Sequence, residues 1–260
     1  MLKKLMKYDL KSLYRTLIPM YIVMLAISLF NRFGQFAANK LSILQIPSSF
    51  ITVVYIVILI GVIIATFIVT IVRFYNNLIK DEGYLMHTLP VTKSQLILSK
   101  LLTFIIVTLS SILLCVIGLF IGSYNIYFTS DTIKSIFELI KLFNTQFIIL
   151  MVISTIVSFI LQQLIVYLSI TLGQTHNGNK IVYSVVYGIV IYNIIQILSS
   201  VILIVPMIFN KKYWKYLNND TPPIHFLNGY LIAAIIISII FAFICYIITE
   251  KIMTKKLNLD

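Results

Sequence analysis

Charge is what this sequence is short of, acidic charge above all. Only 11% of its 260 residues are Asp, Glu, Lys or Arg, and only 8 of those are acidic. A water-soluble domain carries roughly 25% charged residues. The chain therefore lacks the polar surface that water requires, which excludes an ordinary soluble fold. Cysteine is scarce too. Cys115 and Cys245 lie far apart within apolar runs, so neither a disulfide framework nor a thiolate metal site is implied. The dipeptide Gly-Lys is absent, and with it any phosphate-binding loop of the Gly-Lys-Ser/Thr kind. The chain is expected not to hydrolyse ATP by itself. There is no His-Glu-x-x-His element, no paired-acid metal motif and no Gly-x-Ser-x-Gly elbow. His87, His176 and His225 are widely separated in loops and read as surface or interfacial residues. On these grounds no catalytic, cofactor or metal residue is assigned.

What the chain has is hydrocarbon. Sixty per cent of its residues are hydrophobic, and its mean hydropathy is +1.02. Its charge is +12, from 20 Lys+Arg against 8 Asp+Glu. On a soluble protein such an excess points to nucleic acid. Here it fits anionic lipid headgroups and the positive-inside rule, and no nucleic-acid partner is expected.

A helix needs about 20 apolar residues to cross the hydrocarbon core. Five segments of at least that length are free of Asp, Glu, Lys and Arg. They place helices near 51–73, 101–124, 147–172, 181–207 and 227–249. A sixth span, near 17–36, holds Pro19 at its start and Asn31 and Arg32 at its end. Pro19 fits a first helical turn, and Arg32 can snorkel to the interface. The fold expected is an all-α integral membrane protein of six spans, one membrane domain over 1–260. Residues 1–16 are basic, with Leu2, Leu5, Met6, Leu10 and Leu13 at helical spacing. They predict a separate amphipathic helix lying on anionic lipid. The stretch resembles a signal peptide but lacks an A-x-A site, so it is read as retained. With the N-terminus inside, the inner segments carry 13 Lys/Arg and the outer ones seven. That bias favours both termini in the cytoplasm. On the outer side, Asp131 can cap a short helix bearing Ile133, Ile136, Phe137 and Ile140. The polar, Pro-Pro-containing stretch 207–225 reads as an outer cap.

Residues 73–100, RFYNNLIKDEGYLMHTLPVTKSQLILSK, stand out against these runs. By the topology above they are cytoplasmic. RFYNNLIK can prolong the second span beyond the bilayer, and Gly83 offers a helix stop of the C′ kind. Leu89-Pro90 disfavours further helix. Thr92-Lys93-Ser94-Gln95 then matches a capping box, with Val91 and Leu96 placed as a hydrophobic staple. A helix is expected to start at about Lys93 and run into the third span. A plain connector needs only a few residues, although an ordinary solvated loop remains the simpler alternative.

The elements Phe74-Tyr75, Asp81-Glu82-Gly83-Tyr84-Leu85, Thr88-Leu89-Pro90-Val91 and Leu98-Ser99-Lys100 resemble the loop of ABC-2 type transporter permeases of low-GC Gram-positive bacteria. The six-span layout with a basic N-terminus is similar to that family along nearly the whole chain. The resemblance implies two permease subunits, identical or related, in the bacterial cytoplasmic membrane, with a separate ABC ATPase docked beneath each. ATP would be bound by the partner. The segment 74–100 would be the coupling segment, with Asp81, Glu82, Gly83, Tyr84, His87, Leu89 and Pro90 at the ATPase contact. Family members also tend to have re-entrant helices before the last span, a pattern that 207–225 does not follow.

Within the spans the polar residues are few. Gln162 and Gln163 lie in the fourth, Asn193 and Gln196 in the fifth. Asn193 and Gln196 are three apart and share a helix face. These four are candidates for a translocation path, and ordinary interhelical hydrogen bonding is the plainer alternative. No acid or base lies in the central parts of spans two to six, which argues against a proton- or sodium-coupled carrier. The function expected is a permease subunit exporting a hydrophobic or amphipathic cargo, a lipid or an antimicrobial peptide. The alternative is a membrane immunity or assembly protein that transports nothing.

Overall fold

A chain with this much hydrocarbon must satisfy its backbone internally wherever it meets lipid, and helices do so. The computed structural model describes residues 2–41, 45–80, 83, 88, 90–123, 144–176, 178–209 and 224–255. Six helices carry the fold: α1 Leu2–Lys40, α2 Gln45–Leu78, α3 Lys93–Ser123, α4 Thr145–Gly173, α5 Lys180–Phe209 and α6 Ile224–Lys255. Each is long and apolar enough to cross a membrane. This is a multi-pass membrane architecture with six spanning helices.

The expected division of the N-terminus into a surface helix (1–16) and a span (17–36) is corrected. Leu2–Lys40 is one continuous helix of 39 residues with Pro19 inside it. At 1.5 Å per residue it is roughly 58 Å long, about twice the ~30 Å hydrocarbon core. The reason for its continuity is one buried stripe. Asp9, Leu13, Leu17, Tyr21, Met24, Ser28, Asn31, Gln35 and Ala38 are its buried residues, at steps of three and four that keep one face of the helix. Packing therefore holds residues 2–16 in line with the span. Pro19 removes one backbone hydrogen bond, but it sits on the exposed side.

The second helix also stops earlier than Gly83 suggested. It ends at Leu78, where the N–H groups of Ile79 and Lys80 both donate to the Tyr75 carbonyl, at 3.0 and 3.1 Å. Gly83 then donates to the Lys80 carbonyl at 2.7 Å. No described glycine has a positive φ, so Gly83 is not a left-handed stop. The helix start at Lys93 is where the capping-box pattern placed it. Asp81, Glu82, Tyr84, His87 and Leu89 lie outside the described residues, as do the segment around Asp131 and residues 210–223.

The chain divides into two compact units, Met1–Phe74 with Gln95–Glu138, and Tyr75–Ser94 with Leu139–Asp260. In the first, Leu13, Leu17, Tyr21 and Met24 of α1 pack with Tyr55, Leu59 and Val62 of α2 and Val107 and Cys115 of α3. Lipid tails are as apolar as leucine, so such packing yields little solvent-driven stabilisation, and polar contacts fix the register. They form a ladder. Tyr14 Oη donates to Ser110 Oγ at 3.2 Å. Ser111 Oγ lies 2.6 Å from Tyr21 Oη and 2.9 Å from Thr66 Oγ1. Tyr55 Oη donates to the Gly118 carbonyl at 2.8 Å. Asn31 Nδ2 donates to the Gly122 carbonyl at 3.1 Å, and Thr52 Oγ1 to Asn31 Oδ1 at 3.0 Å. The sequence of partners shows α1 and α3 parallel, with α2 antiparallel to both.

In the second unit α4 packs against α6 and α5. A tight turn joins α4 to α5. His176 stacks on Tyr183, with centroids 4.7 Å apart, and its Nε2 lies 2.7 Å from Tyr187 Oη. Gly173 permits this closeness, because a Cβ there would fall 2.7 Å from Ser184 N and 2.8 Å from the Lys180 carbonyl. The Ser94 and Tyr246 hydroxyls are hydrogen-bonded.

Candidate functional site

The polar residues singled out within the spans separate once the helices pack. Gln162 falls near the middle of α4 and Gln196 near the middle of α5. Both line one open cavity of about 160 Å³ in the second unit, and both are exposed. Ser158 of α4, Tyr192 and Ser199 of α5, and Ser238 near the middle of α6 contribute the other polar groups. Leu161, Ile165 and Phe241 are among its apolar lining residues. The spacing explains the convergence. Ser158, Leu161, Gln162 and Ile165 follow the i, i+3, i+4, i+7 face of α4, and Tyr192, Ile195, Gln196 and Ser199 repeat it on α5.

The other two candidates lie elsewhere. Gln163 is fully buried and does not line the cavity. Its Nε2 and Oε1 have no hydrogen-bond partner among the described residues. Asn193 is exposed, and its Nδ2 donates to the Ile189 carbonyl of its own helix at 2.8 Å. The cavity face of α5 therefore passes through Tyr192 and Gln196 and leaves out Asn193. Three-residue spacing made Asn193 and Gln196 neighbours without deciding which of two adjacent stripes would face α4.

The cavity is uncharged. No Asp, Glu, Lys, Arg or His lines it. Ser158 Oγ donates to the Thr155 carbonyl at 2.8 Å and Ser199 Oγ to the Gln196 carbonyl at 3.0 Å, both within their own helices. Among the described residues, the side chains of Gln162, Gln196, Tyr192 and Ser238 form no hydrogen bond. Each glutamine amide offers two donors and an acceptor. Such an array offers hydrogen bonds to a neutral group. It is not suited to a bare ion or to acid–base chemistry.

A charged cluster in the first unit went unnoticed in the sequence. Asp9 and Lys100 are both 3% exposed. Lys100 Nζ donates to Asp9 Oδ1 at 2.5 Å, and Arg73 Nε lies 3.9 Å from the same oxygen. Asp9 is near the start of α1, Arg73 near the end of α2 and Lys100 near the start of α3. The cluster ties together the ends of three helices, two of which bound the segment 79–92. The signal was present. Asp9 is the lone acid among five basic residues, four positions before Leu13 in the buried stripe of α1. Of the expected ATPase contact, Gly83 is buried and Pro90 exposed.

Among the described residues no group of three or more His, Cys, Asp or Glu is placed to hold a metal ion. No family model, no curated protein and no solved structure matches the chain.

Proposed function

We propose that this chain is the permease subunit of an ATP-driven exporter, of the ABC-2 type that its loop motif resembles. The observation that carries the reading is the segment between α2 and α3. It stands between a helix that stops at Leu78 and one that starts at Lys93, and it bears the Asp-Glu-Gly-Tyr and Thr-Leu-Pro elements. On this reading it faces the cytoplasm and receives the push of a separate ABC ATPase. A rigid hairpin transmits such motion, whereas a flexible connector would absorb it. The Asp9–Lys100–Arg73 cluster ties the ends of α2 and α3, the helices that lead into and out of this segment, to α1. The chain binds no nucleotide itself, and it works as a dimer with a second permease, a copy or a relative, in the bacterial cytoplasmic membrane. The cavity of the second unit belongs to the path of a hydrophobic or amphipathic cargo, and the absence of charge from its lining fits energy supplied from outside the membrane.

The test is affinity purification of the tagged protein from its native membrane in mild detergent. The expected result is a stoichiometric ATPase that is lost when residues 81–90 are replaced by a Gly/Ser linker. Glu82→Lys with Tyr84→Ala should preserve membrane insertion but uncouple ATP hydrolysis from cargo. Recovery of no ATPase, under conditions that preserve a known transporter complex, would favour a membrane immunity or assembly protein instead.

A further inference from the structure

Polar side chains at mid-membrane depth are costly unless they have partners. Gln162, Gln196 and Ser238 all sit near the midpoints of their helices and converge on one cavity. Among the described residues their side chains make no hydrogen bond. Ordinary interhelical bonding is thus not what occupies these groups. Three helices each contribute an unused hydrogen-bonding group to one open cavity, and Gln162 and Gln196 are exposed within it, so a ligand entering from the bilayer can reach them.

The chemistry of the ligand follows from three features. The lining holds no charged residue, so an ionised group would enter with no counter-charge at a depth where that is most expensive. The cavity of about 160 Å³ is smaller than the roughly 300–1,000 Å³ that encloses a whole drug-sized molecule. It accommodates a small polar head, not an entire amphiphile. Around it, the outer faces of α5 and α6 are apolar and exposed, including Val185, Ile189, Ile236 and Phe243, which suits hydrocarbon tails. A peptide fits less well. An extended one presents a polar backbone unit about every 3.5 Å, and every unit outside the cavity would meet hydrocarbon unpaired. A helical one satisfies its own backbone and would leave the glutamines as they are. A lipid with a single compact head places all of its polar groups where the partners are.

We infer that the cavity between α4, α5 and α6 is a binding site for the uncharged, hydroxyl-bearing head of a membrane lipid of the diacylglycerol class, held by the amides of Gln162 and Gln196 and the hydroxyl of Ser238. This deepens the transport proposal by naming the cargo class and rests on the cavity's place in the cargo path, but the binding itself needs no ATPase.

The experiment uses the full chain in phosphatidylcholine nanodiscs with diazirine-bearing probes: a diacylglycerol, a phosphatidylglycerol and a hydrophobic helical peptide. Cross-links are mapped by mass spectrometry. The diacylglycerol should label α4–α6 and be competed by unlabelled diacylglycerol. Gln162→Leu with Gln196→Leu should weaken labelling about tenfold. Leucine is close in size and favoured in lipid, so folding is preserved, and Ser238→Ala supplies a milder second variant that should also reduce labelling. Equal labelling by phosphatidylglycerol, preference for the peptide, or indifference to all three substitutions would overturn the assignment. The two proposals fail separately. Labelling that persists when no ATPase co-purifies removes transport alone, and an ATPase-bound complex whose labelling ignores the substitutions removes the lipid site alone.

Discussion

Asp9 shows how much one residue decides. In sequence it is a single acid in a basic leader. In the folded chain it is buried, within 2.5 Å of Lys100 and 3.9 Å of Arg73. Removing one partner of a buried ion pair leaves the other charge without compensation, at a cost of roughly 3–5 kcal/mol, whereas replacing both partners by apolar residues is often near neutral. Lys100→Met takes away the shortest contact of Asp9 while Arg73 stays nearby, and should lower stability by up to about 3 kcal/mol. Asp9→Leu combined with Lys100→Met should recover most of the loss, since Arg73 is 28% exposed and can turn toward water. Thermal unfolding in detergent micelles measures both. Equal destabilisation by the single and the double variant would mean that the pair is not the source of the effect. At the same scale, Gln162 and Gln196 were legible as polar residues in apolar helices, but their meeting, and the exclusion of Asn193 and Gln163, was not. A one-residue change of phase turns a side chain by about 100° around a helix, and only the packing of α4 against α5 and α6 fixed that phase.

At the scale of elements, sequence signals marked what local chemistry controls. The start of α3 at Lys93 followed from a capping-box pattern, because a cap is satisfied within one turn. The fusion of residues 2–16 with the first span did not follow, because it depends on a neighbour, and α2 ends at Leu78, ahead of the glycine that the sequence offered as its stop. A long helix with charged residues at one end can lie on a membrane or continue upright, and the buried stripe decides between them. Close approaches make the glycines unequal in a testable way. A Cβ on Gly173 would strike the backbone of Lys180 and Ser184, while one on Gly61 or Gly229 meets nothing within 4 Å. Gly173→Ala should destabilise the protein by about 3 kcal/mol, as overpacking against rigid backbone does. Gly61→Ala should be neutral or slightly favourable, alanine being the better helix former. Chemical or thermal unfolding of the two variants in one detergent gives the comparison, and similar behaviour would argue that the α4–α5 turn opens readily.

For the molecule as a whole, the proposed topology puts both termini in the cytoplasm, on the strength of six candidate spans and the distribution of Lys and Arg. With Cys115 and Cys245 replaced by serine, single cysteines at Lys40 and Lys80 should label from opposite faces in intact cells. Lys40 should react with an impermeant maleimide from outside, and Lys80 only after permeabilisation. The reverse pattern would put the segment 79–92 on the outer face and remove it from reach of any cytoplasmic ATPase. What the sequence by itself determined is the membrane class, the six apolar spans and the helix start at Lys93. These depend on composition and on chemistry within a few residues, which a chain carries wherever it goes. What only the tertiary structure decided is the unbroken α1, the Asp9–Lys100–Arg73 cluster, the polar ladder of the first unit and the pairing of Gln162 with Gln196 around one cavity. Each depends on which face of a helix meets another. Between spans rich in isoleucine and leucine nearly every face is apolar enough to be the packed one, so hydrophobic periodicity carries little information about the choice, and side-chain packing and a few hydrogen bonds make it.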